Sequence, residues 1–505
     1  MTDDQTVGRW LSDSARAFAH RVAIDDRGVT TTYAELDRRV DRLVRRLARA
    51  GYRPGDRIVT ITGNSADHVV LFFACARLGI GMSPLSWRAA PRELAYELGV
   101  VDPQLVVVEE EYGVLADAAV ALLDRAPTQI RFDALDHDLP PRDHPSEAAD
   151  QRPPRNDDPL LIMFTSGSTG APKAAILTHS TCFWTNLAFS RAVPVSRDDV
   201  VLSLLPQHHV GSWNVQTLLA WWVGAKVVIE RGFDPRRVLE LIRTRGITMM
   251  MGVPTHYRAL ADYRGFADAD ISSLCTAVVG GAPATGAMLQ TWLDRGVRLT
   301  QGYGLTEAGP NVLCLLPEEA AAHVGTAGRP YHHLDVRLVD HDTGEVLDGP
   351  ARGELQVKGP GLFVGYYGDE AATREAFTDD GWLRTGDLVE RDADGYHTII
   401  DRMDGLYISG GINVAPAEVE KALLEHPGVE RVLVVGVPDD KWGQVGLARV
   451  VRREGNTVDA AELLRHCRSY LARYKVPAQI VFVSDLPEGS LEKVRRRAVL
   501  EESAG

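Results

Sequence analysis

Nine consecutive residues, Thr165-Ser166-Gly167-Ser168-Thr169-Gly170-Ala171-Pro172-Lys173, follow directly on an apolar run at 160–164 (LLIMF). Hydroxyl side chains, two glycines and a lysine at the end of a β-like run are suited to holding phosphate. Glycine lets backbone N–H groups approach an oxyanion, Ser and Thr add donors, and the lysine supplies charge. The spacing is not that of a Walker A loop, because no Gly-Lys-Ser/Thr follows at the required distance. Four Gly/Ser residues alone would fit a plain turn equally well, but the whole string favours the anion site. Elsewhere single residues say less. Thr385-Gly386-Asp387 alone reads as a turn or cap, and Lys493 in LEKVRRR alone reads as a solvated cation on a basic helix. The adjacent His208 and His209 suggest no metal, since sequence neighbours point apart and no third ligand is evident.

Such side chains act only when rigid elements hold them. The 160–164 run is expected to be the strand that delivers the loop. Near the N-terminus, Thr32 and Glu35 have capping-box spacing ahead of Leu36, Val40, Leu43 and Leu47 at helical period. Gly51 and Pro54 stop that helix, RIVTITG reads as a strand, and a second helix is expected from about 65 to 78. The alternation continues through the next several hundred residues and predicts largely parallel sheets with helices packed on them. Residues 136–159 (DHDLPPRDHPSEAADQRPPRNDDP) break the rhythm as a solvated connector, either a domain boundary or a long surface loop. Residues 345–400 are dense in Gly, Asp and short β-like runs and predict a small β-rich subdomain. From about Asp404 a mixed pattern returns, long enough for a separate small domain.

In order along the chain, these motifs resemble those of the adenylate-forming superfamily, which includes acyl- and aryl-CoA synthetases, adenylation domains of peptide synthetases and luciferases. TSGSTGAPK is similar to that family's phosphate loop, YAELDRRVDRLVRRLARAGYRPGDRI to its N-terminal helix and strand, and Gly280-Gly281-Ala282-Pro283 to its adenine-contacting segment. Gln301-Gly302-Tyr303-Gly304-Leu305-Thr306-Glu307 resembles its most characteristic internal motif. Thr385-Gly386-Asp387, Asp401-Arg402, Ser409-Gly410-Gly411 and Lys493 follow in the family's order, so the resemblance covers nearly the whole chain. It implies an α/β fold: a large N-terminal domain of doubly wound sheets with a small β-rich subdomain (1–402), and a small mobile α+β C-terminal domain (403–505) carrying the catalytic lysine. Asp404 stands where the family has its hinge.

The implied reaction is ATP-dependent activation of a carboxylic acid to its acyl- or aryl-adenylate with release of pyrophosphate, then transfer to coenzyme A. Charge develops on the phosphoryl oxygens, so cations and fixed donors there should dominate catalysis. The resemblance assigns the β- and γ-phosphates to Thr165, Ser166, Gly167, Ser168, Thr169, Gly170 and Lys173, a phosphate bond to Thr306, and Mg²⁺ to Glu307. It assigns adenine to Gly281, Ala282, Pro283, Tyr303 and Gly304, and ribose to Asp387 with Arg402 nearby. Lys493 would bridge the substrate carboxylate and the α-phosphate. His209 matches a histidine beside that carboxylate, and His208 stands where an aromatic is common. Trp213, Asn214, Gly252, Gly281, Gly304 and Ala308 are expected to line or border the acid pocket, while Trp221 and Trp222 read as core. A polar His/Asn lining favours an aromatic or functionalised acid over a long saturated chain.

Gly410 and Gly411 mark the expected acceptor site. Ile412, Ala415, Ala174 and Glu492 depart from the family pattern there and beside the two lysines. The alternatives kept open are a carrier-protein thiol, an amine or nitrite as acceptor, and a degenerate homologue that only binds nucleotide.

The chain has 505 residues, and 55 Lys+Arg against 69 Asp+Glu leave a net charge of −14. This balance disfavours nucleic acid or an anionic membrane held by bulk charge. No apolar stretch approaches the roughly 20 residues a membrane helix needs, and the start MTDDQTVGRW lacks a signal-peptide order. Five scattered cysteines without a CxxC pair predict neither a disulfide framework nor zinc, and a cytoplasmic setting. A monomer or a homodimer is expected.

Overall fold

The computed structural model describes residues 6–137, 139–142, 152–165, 171–281, 284, 286–316, 318–320, 322–340, 343–403 and 405–486. Ser166, Gly167, Ser168, Thr169, Gly170, Ala282, Pro283, Asp404 and Lys493 lie outside the described residues.

The capping box forms as its spacing predicts. Thr32 Oγ1 accepts from the Glu35 amide at 3.2 Å, and Glu35 Oε2 accepts from the Thr32 amide at 2.8 Å. The helix Tyr33–Arg49 that follows buries Tyr33, Leu36, Val40, Leu43 and Leu47. The next helix, Ala66–Leu78, is capped by Ser65 and ended by Gly79 at φ +68°, and is buried nearly all round. A helix without a polar face has to lie between other layers.

Those layers are two mostly parallel sheets. Among the described residues one has nine strands, in the order Arg329–Pro330, Leu313–Leu315, Arg298–Tyr303, Thr276–Val279, Met249–Gly252, Val200–Ser203, Lys226–Ile229, Val22–Asp26 and Val29–Thr32. The other has six: Gln129–Arg131, Leu105–Val108, Arg57–Ile61, Gly81–Leu85, Pro159–Thr165 and Lys173–Thr178. Their side chains alternate between faces, as a period of two requires. Val201, Val227, Met249 and Val278 join Ile58, Leu105, Val107, Leu161 and Met163 in a core shared with the Ala66–Leu78 helix. Leu202, Val228, Met250 and Ala277 face away, onto helices bearing Ile242, Tyr257 and Trp292. Val59, Val106 and Ile162 likewise turn to an outer layer with Leu94 and Leu98. Helices thus cover both faces of both sheets, with one helical layer held in common.

The β-rich subdomain is a five-stranded antiparallel sheet, Val346–Leu347, Asp335–Val339, Ala351–Lys358, Leu383–Arg391 and His397–Arg402. After it the chain forms a further sheet from Tyr407–Ser409, Ile412–Val414, Val429–Asp439, Gly443–Arg452 and Gln479–Phe482, packed with the helices Pro416–Leu424 and Ala460–Tyr470 around their own core. The connector at 136–159 is no domain boundary, because the strands on either side of it, Gln129–Arg131 and Pro159–Thr165, belong to one sheet. Within it Arg142 pairs with the buried Asp56 at 2.7 Å, and Arg152 with Asp158 at 2.5 Å. Among the described residues no helix is long and apolar enough to cross a membrane, and all five cysteines are free thiols.

Candidate active site

A cavity of about 570 Å³ lies where the sheets, the β-rich subdomain and the last hundred residues meet. Its first wall comes from the phosphate-loop hairpin. Strands Pro159–Thr165 and Lys173–Thr178 are antiparallel with Thr165 opposite Lys173, so both ends of the loop are pinned by the ladder. The strand Arg298–Tyr303 brings Thr306 and Glu307 to the same place on a 3₁₀ turn. Thr165 Oγ1 donates to Glu307 Oε1 at 3.0 Å and the Tyr366 hydroxyl donates to the same oxygen at 2.9 Å. Among the described residues Oε2 accepts no hydrogen bond. Burial, and then the Glu307 charge, push the Tyr366 phenol far up, so it stays a donor. Lys173 Nζ sits 5.2 Å from the centre of the Tyr366 ring. Gly304 is required here: a Cβ would lie 1.4 Å from the Pro310 carbonyl oxygen.

The second wall joins two sheets. Tyr303 lines the cavity and its hydroxyl donates to Asp387 Oδ2. Burial and the neighbouring Asp387 carboxylate raise its phenol well above the ordinary tyrosine range. Asp387 and Arg402 face each other across an antiparallel pair, with Arg402 Nη1 3.3 Å from Asp387 Oδ1 and bonded to the Thr385 carbonyl at 3.2 Å. The Asp387 carboxylate is therefore buried and already oriented.

His208 and His209 occupy a turn at the cavity, their ring centres 4.5 Å apart. Burial lowers both: His209 to about 4, with Arg88 adding to the effect, and His208 well below its usual value, with His209 and Arg88 adding. Both rings are neutral at physiological pH, and among the described residues His208 Nδ1 has no hydrogen-bond partner. Beyond them Val215, Met251, Val278, Asn311 and Tyr331 form a mostly apolar recess.

Of the six residues expected at the pocket, Gly281 and Gly304 line the cavity and four do not. On the short helix Gly211–Asn214, Gly211 faces the cavity, which turns Trp213, two positions on, to the far side. Trp213 is fully buried, stacks on Phe72 with centroids 4.5 Å apart, and donates to the Gln207 carbonyl at 2.7 Å. Asn214 donates to the Gly309 carbonyl at 2.8 Å inside the core. Gly252 looks onto Tyr257 and His256, and Ala308 is buried in the shared core. Trp221 is core as expected, and Trp222 stacks on Trp10.

The third wall is the glycine turn at 410–411. Tyr407–Ser409 and Ile412–Val414 form a hairpin whose two turn residues, Gly410 and Gly411, have φ of +59° and +80°. Positive φ at both positions is what a type I′ turn needs. The tip presses on the large part of the chain: a Cβ on Gly411 would stand 3.0 Å from Val253, and one on Gly281 3.6 Å from the Gly411 carbonyl. Gly411 and Ile412 line the cavity with Tyr474 and Lys475.

Sequence reasoning missed Tyr366, Asn311, Tyr331, Glu97 and Lys475. Only Lys475 carries a signal, the YKVP string at 474–477.

The AMP-binding enzyme family matches residues 11–367, and the AMP-binding enzyme C-terminal domain matches residues 418–493. A feruloyl-CoA synthase of an Amycolatopsis species is 38% identical over 497 residues, covering 98% of this chain and 99% of that protein. Among solved structures, a double mutant of o-succinylbenzoate CoA synthetase of Bacillus subtilis bound with its product analogue OSB-NCoA superposes with a TM-score of 0.88 at 28% identity, covering 98% of each chain. The same enzyme in complex with its acyl-adenylate intermediate superposes at 0.72, also at 28% identity, covering 99% of this chain and 98% of that one.

Proposed function

We infer that this chain, which belongs to the AMP-binding enzyme family, is an AMP-forming acid–thiol ligase. It activates a carboxylic acid with ATP and passes the acyl group to coenzyme A. One observation carries the reading: Lys173, Thr306, Glu307 and Arg402 share a single cavity with Gly411 of the glycine turn. Both half-reactions thus have their groups within one enclosure.

In the first, a substrate carboxylate oxygen attacks the α-phosphorus of ATP. The bond to the bridging oxygen breaks and pyrophosphate leaves. Lys173 and the Thr306 hydroxyl meet the phosphates, together with Ser166, Gly167, Ser168, Thr169 and Gly170 of the loop. The Asp387 carboxylate takes the ribose hydroxyls, oriented by Tyr303 and Arg402. Gly281, Ala282, Pro283 and Gly304 border the base. Lys493 supplies the charge between carboxylate and α-phosphate, entering from a C-terminal domain (403–505) that pivots at Asp404. The carboxylate of Glu307, which lines the cavity with two hydroxyls beside it, fits the hard-oxygen preference of Mg²⁺, which when bound would neutralise phosphate charge. The neutral His209 contributes a hydrogen bond, not a charge, beside the carboxylate.

In the second half-reaction the CoA sulfur attacks the acyl carbon, the C–O bond to AMP breaks, and the thiol proton passes to solvent. Gly410 and Gly411 let the pantetheine arm run close to the backbone. The recess of Val215, Met251, Val278 and Tyr331, with polar groups at Asn311 and His208, supports an aromatic or functionalised acid.

Pyrophosphate release across a panel of acids, with and without CoA, tests the reading. CoA-dependent turnover to a thioester is expected with aryl acids. Equal turnover without CoA, or with an amine in its place, contradicts the thiol acceptor.

A further inference from the structure

The helix Pro91–Val101 belongs to the large part of the chain, yet it carries a row of charges that meets the last hundred residues. Lys475 Nζ is 3.0 Å from Glu93 Oε1 on this helix and 2.6 Å from Glu418 Oε1 on the helix Pro416–Leu424. All three side chains are at most 10% exposed. One turn further along, Glu97 is buried at the cavity edge, with no hydrogen bond to Oε2 among the described residues. Arg92, next to Glu93, lies 4.2 Å over the Tyr470 ring and 3.9 Å from Glu425. Tyr474 and Tyr407 are the other titratable groups packed around the cluster, and burial raises both phenols, Tyr474 to about 12.

Three carboxylates around one ammonium is a costly arrangement to bury, and it is retained only where the geometry is exacting. Burial, partly offset by Lys475, pushes the Glu97 carboxyl up to about 8, and burial raises Glu418 as well. A proton held on Glu97 lets the cluster close. The contact joins residues of the two parts as they sit in this structure. The present structure superposes at 0.88 on the relative carrying a CoA product analogue and at 0.72 on the same relative carrying the adenylate. These two differ from each other while both align over nearly the full chain.

We propose that Lys475, clamped between Glu93 and Glu418, is a positioning residue for acyl transfer: it latches the C-terminal part in the arrangement that holds the 410–411 tip against Val253 and Gly281. The latch rests on the ligase reading above, because its effect is on the second half-reaction. Breaking one member of a buried charge group leaves the others uncompensated, so the docked arrangement should lose most of its population.

Two variants test it in the full-length enzyme. Lys475→Met removes the shared cation. Glu93→Gln removes one charge while keeping an acceptor for the Ala90 amide, which Glu93 Oε2 now caps at 2.7 Å. Pyrophosphate release in a single turnover without CoA should stay within about twofold of wild type, while transfer from the preformed adenylate to CoA falls more than about tenfold in Lys475→Met and less in Glu93→Gln. Amide hydrogen exchange in 91–101 and 416–424 should quicken in both variants. Transfer at the wild-type rate overturns the latch, and so does a parallel loss of both half-reactions, which marks a merely structural residue. A wild-type enzyme that makes no thioester contradicts the ligase reading instead. The exchange measurement then decides alone, and unchanged protection of 91–101 overturns the latch.

Discussion

Glu307 and Gly411 face the same cavity from opposite sides, and they are held there by different means. Glu307 stands on a turn after a sheet strand, and one of its oxygens is fixed by Thr165 from the neighbouring sheet and Tyr366 from the chain beyond. Gly411 stands at the tip of a two-residue turn on a separate small sheet and reaches the cavity only because that sheet is docked. The wall proposed to hold phosphate is therefore set by the fold itself, whereas the wall proposed to take the acceptor is set by the arrangement of two parts. Chemistry on ATP needs fixed donors, and a second substrate needs a wall that can come and go.

If the phosphate side is rigid because of what lies behind it, the largest effect comes from its packing. Trp213→Ala should lower stability by about 3–5 kcal/mol in denaturant unfolding, the cost of a large buried cavity. A changed acid preference without loss of stability would return Trp213 to the pocket. Next, Glu307→Gln should slow pyrophosphate release by about a hundredfold or more while sparing transfer of preformed adenylate to CoA. Equal damage to both steps would show that the two walls are not separable.

The packing behind the His208–His209 turn also gives a pH signature. His68, bonded to Gln207 and Thr60, is buried and lowered to about 4. Above pH 6.5 neither the folded nor the unfolded chain protonates it. Between 6.5 and about 4 only the unfolded chain takes up the proton, so stability falls with pH, by about 2 kcal/mol at pH 5. His68→Gln should remove that share of the slope between pH 7 and 5 in thermal unfolding, leaving the part owed to the other buried histidines, His179, His208, His209 and His256, and an unchanged slope would contradict a neutral buried ring at His68. The smallest effect belongs to the acceptor wall: Gly411→Ala, at positive φ and 3.0 Å from Val253, should slow transfer about tenfold with adenylation intact. Loss of adenylation in that variant would mean that the tip serves both steps.

Much of this contrast is visible in the chain. The capping box at Thr32 and Glu35, the strand before the phosphate loop and the β-rich run near 345–400 are local patterns, and each forms where its residues predict. The ordered motifs bring Lys173, Thr306, Glu307, Tyr303 and Arg402 to one cavity because each sits at a strand end or on a short turn following one. The acid pocket is not local. Trp213, Asn214 and Ala308 neighbour the right residues in sequence but point into the core, and Gly252 looks onto Tyr257 and His256, since a helical or strand period turns a side chain away within one or two positions. Asn311, Tyr331 and Tyr366 come from loops and short strands whose sequences carry no period at all. Lys475 escaped because a lysine's partners, here 382 and 57 residues away, leave no trace near it in the chain.

The central claim, one cavity serving adenylation and then transfer to a thiol, is tested most directly by single-turnover mass spectrometry on the wild-type enzyme with an aryl acid and ATP. Without CoA, one equivalent of pyrophosphate and an enzyme-bound adenylate should appear and then stall; adding CoA should convert that adenylate to the thioester and release AMP. Continued turnover before CoA is added, or an adenylate that CoA does not consume, would contradict the account.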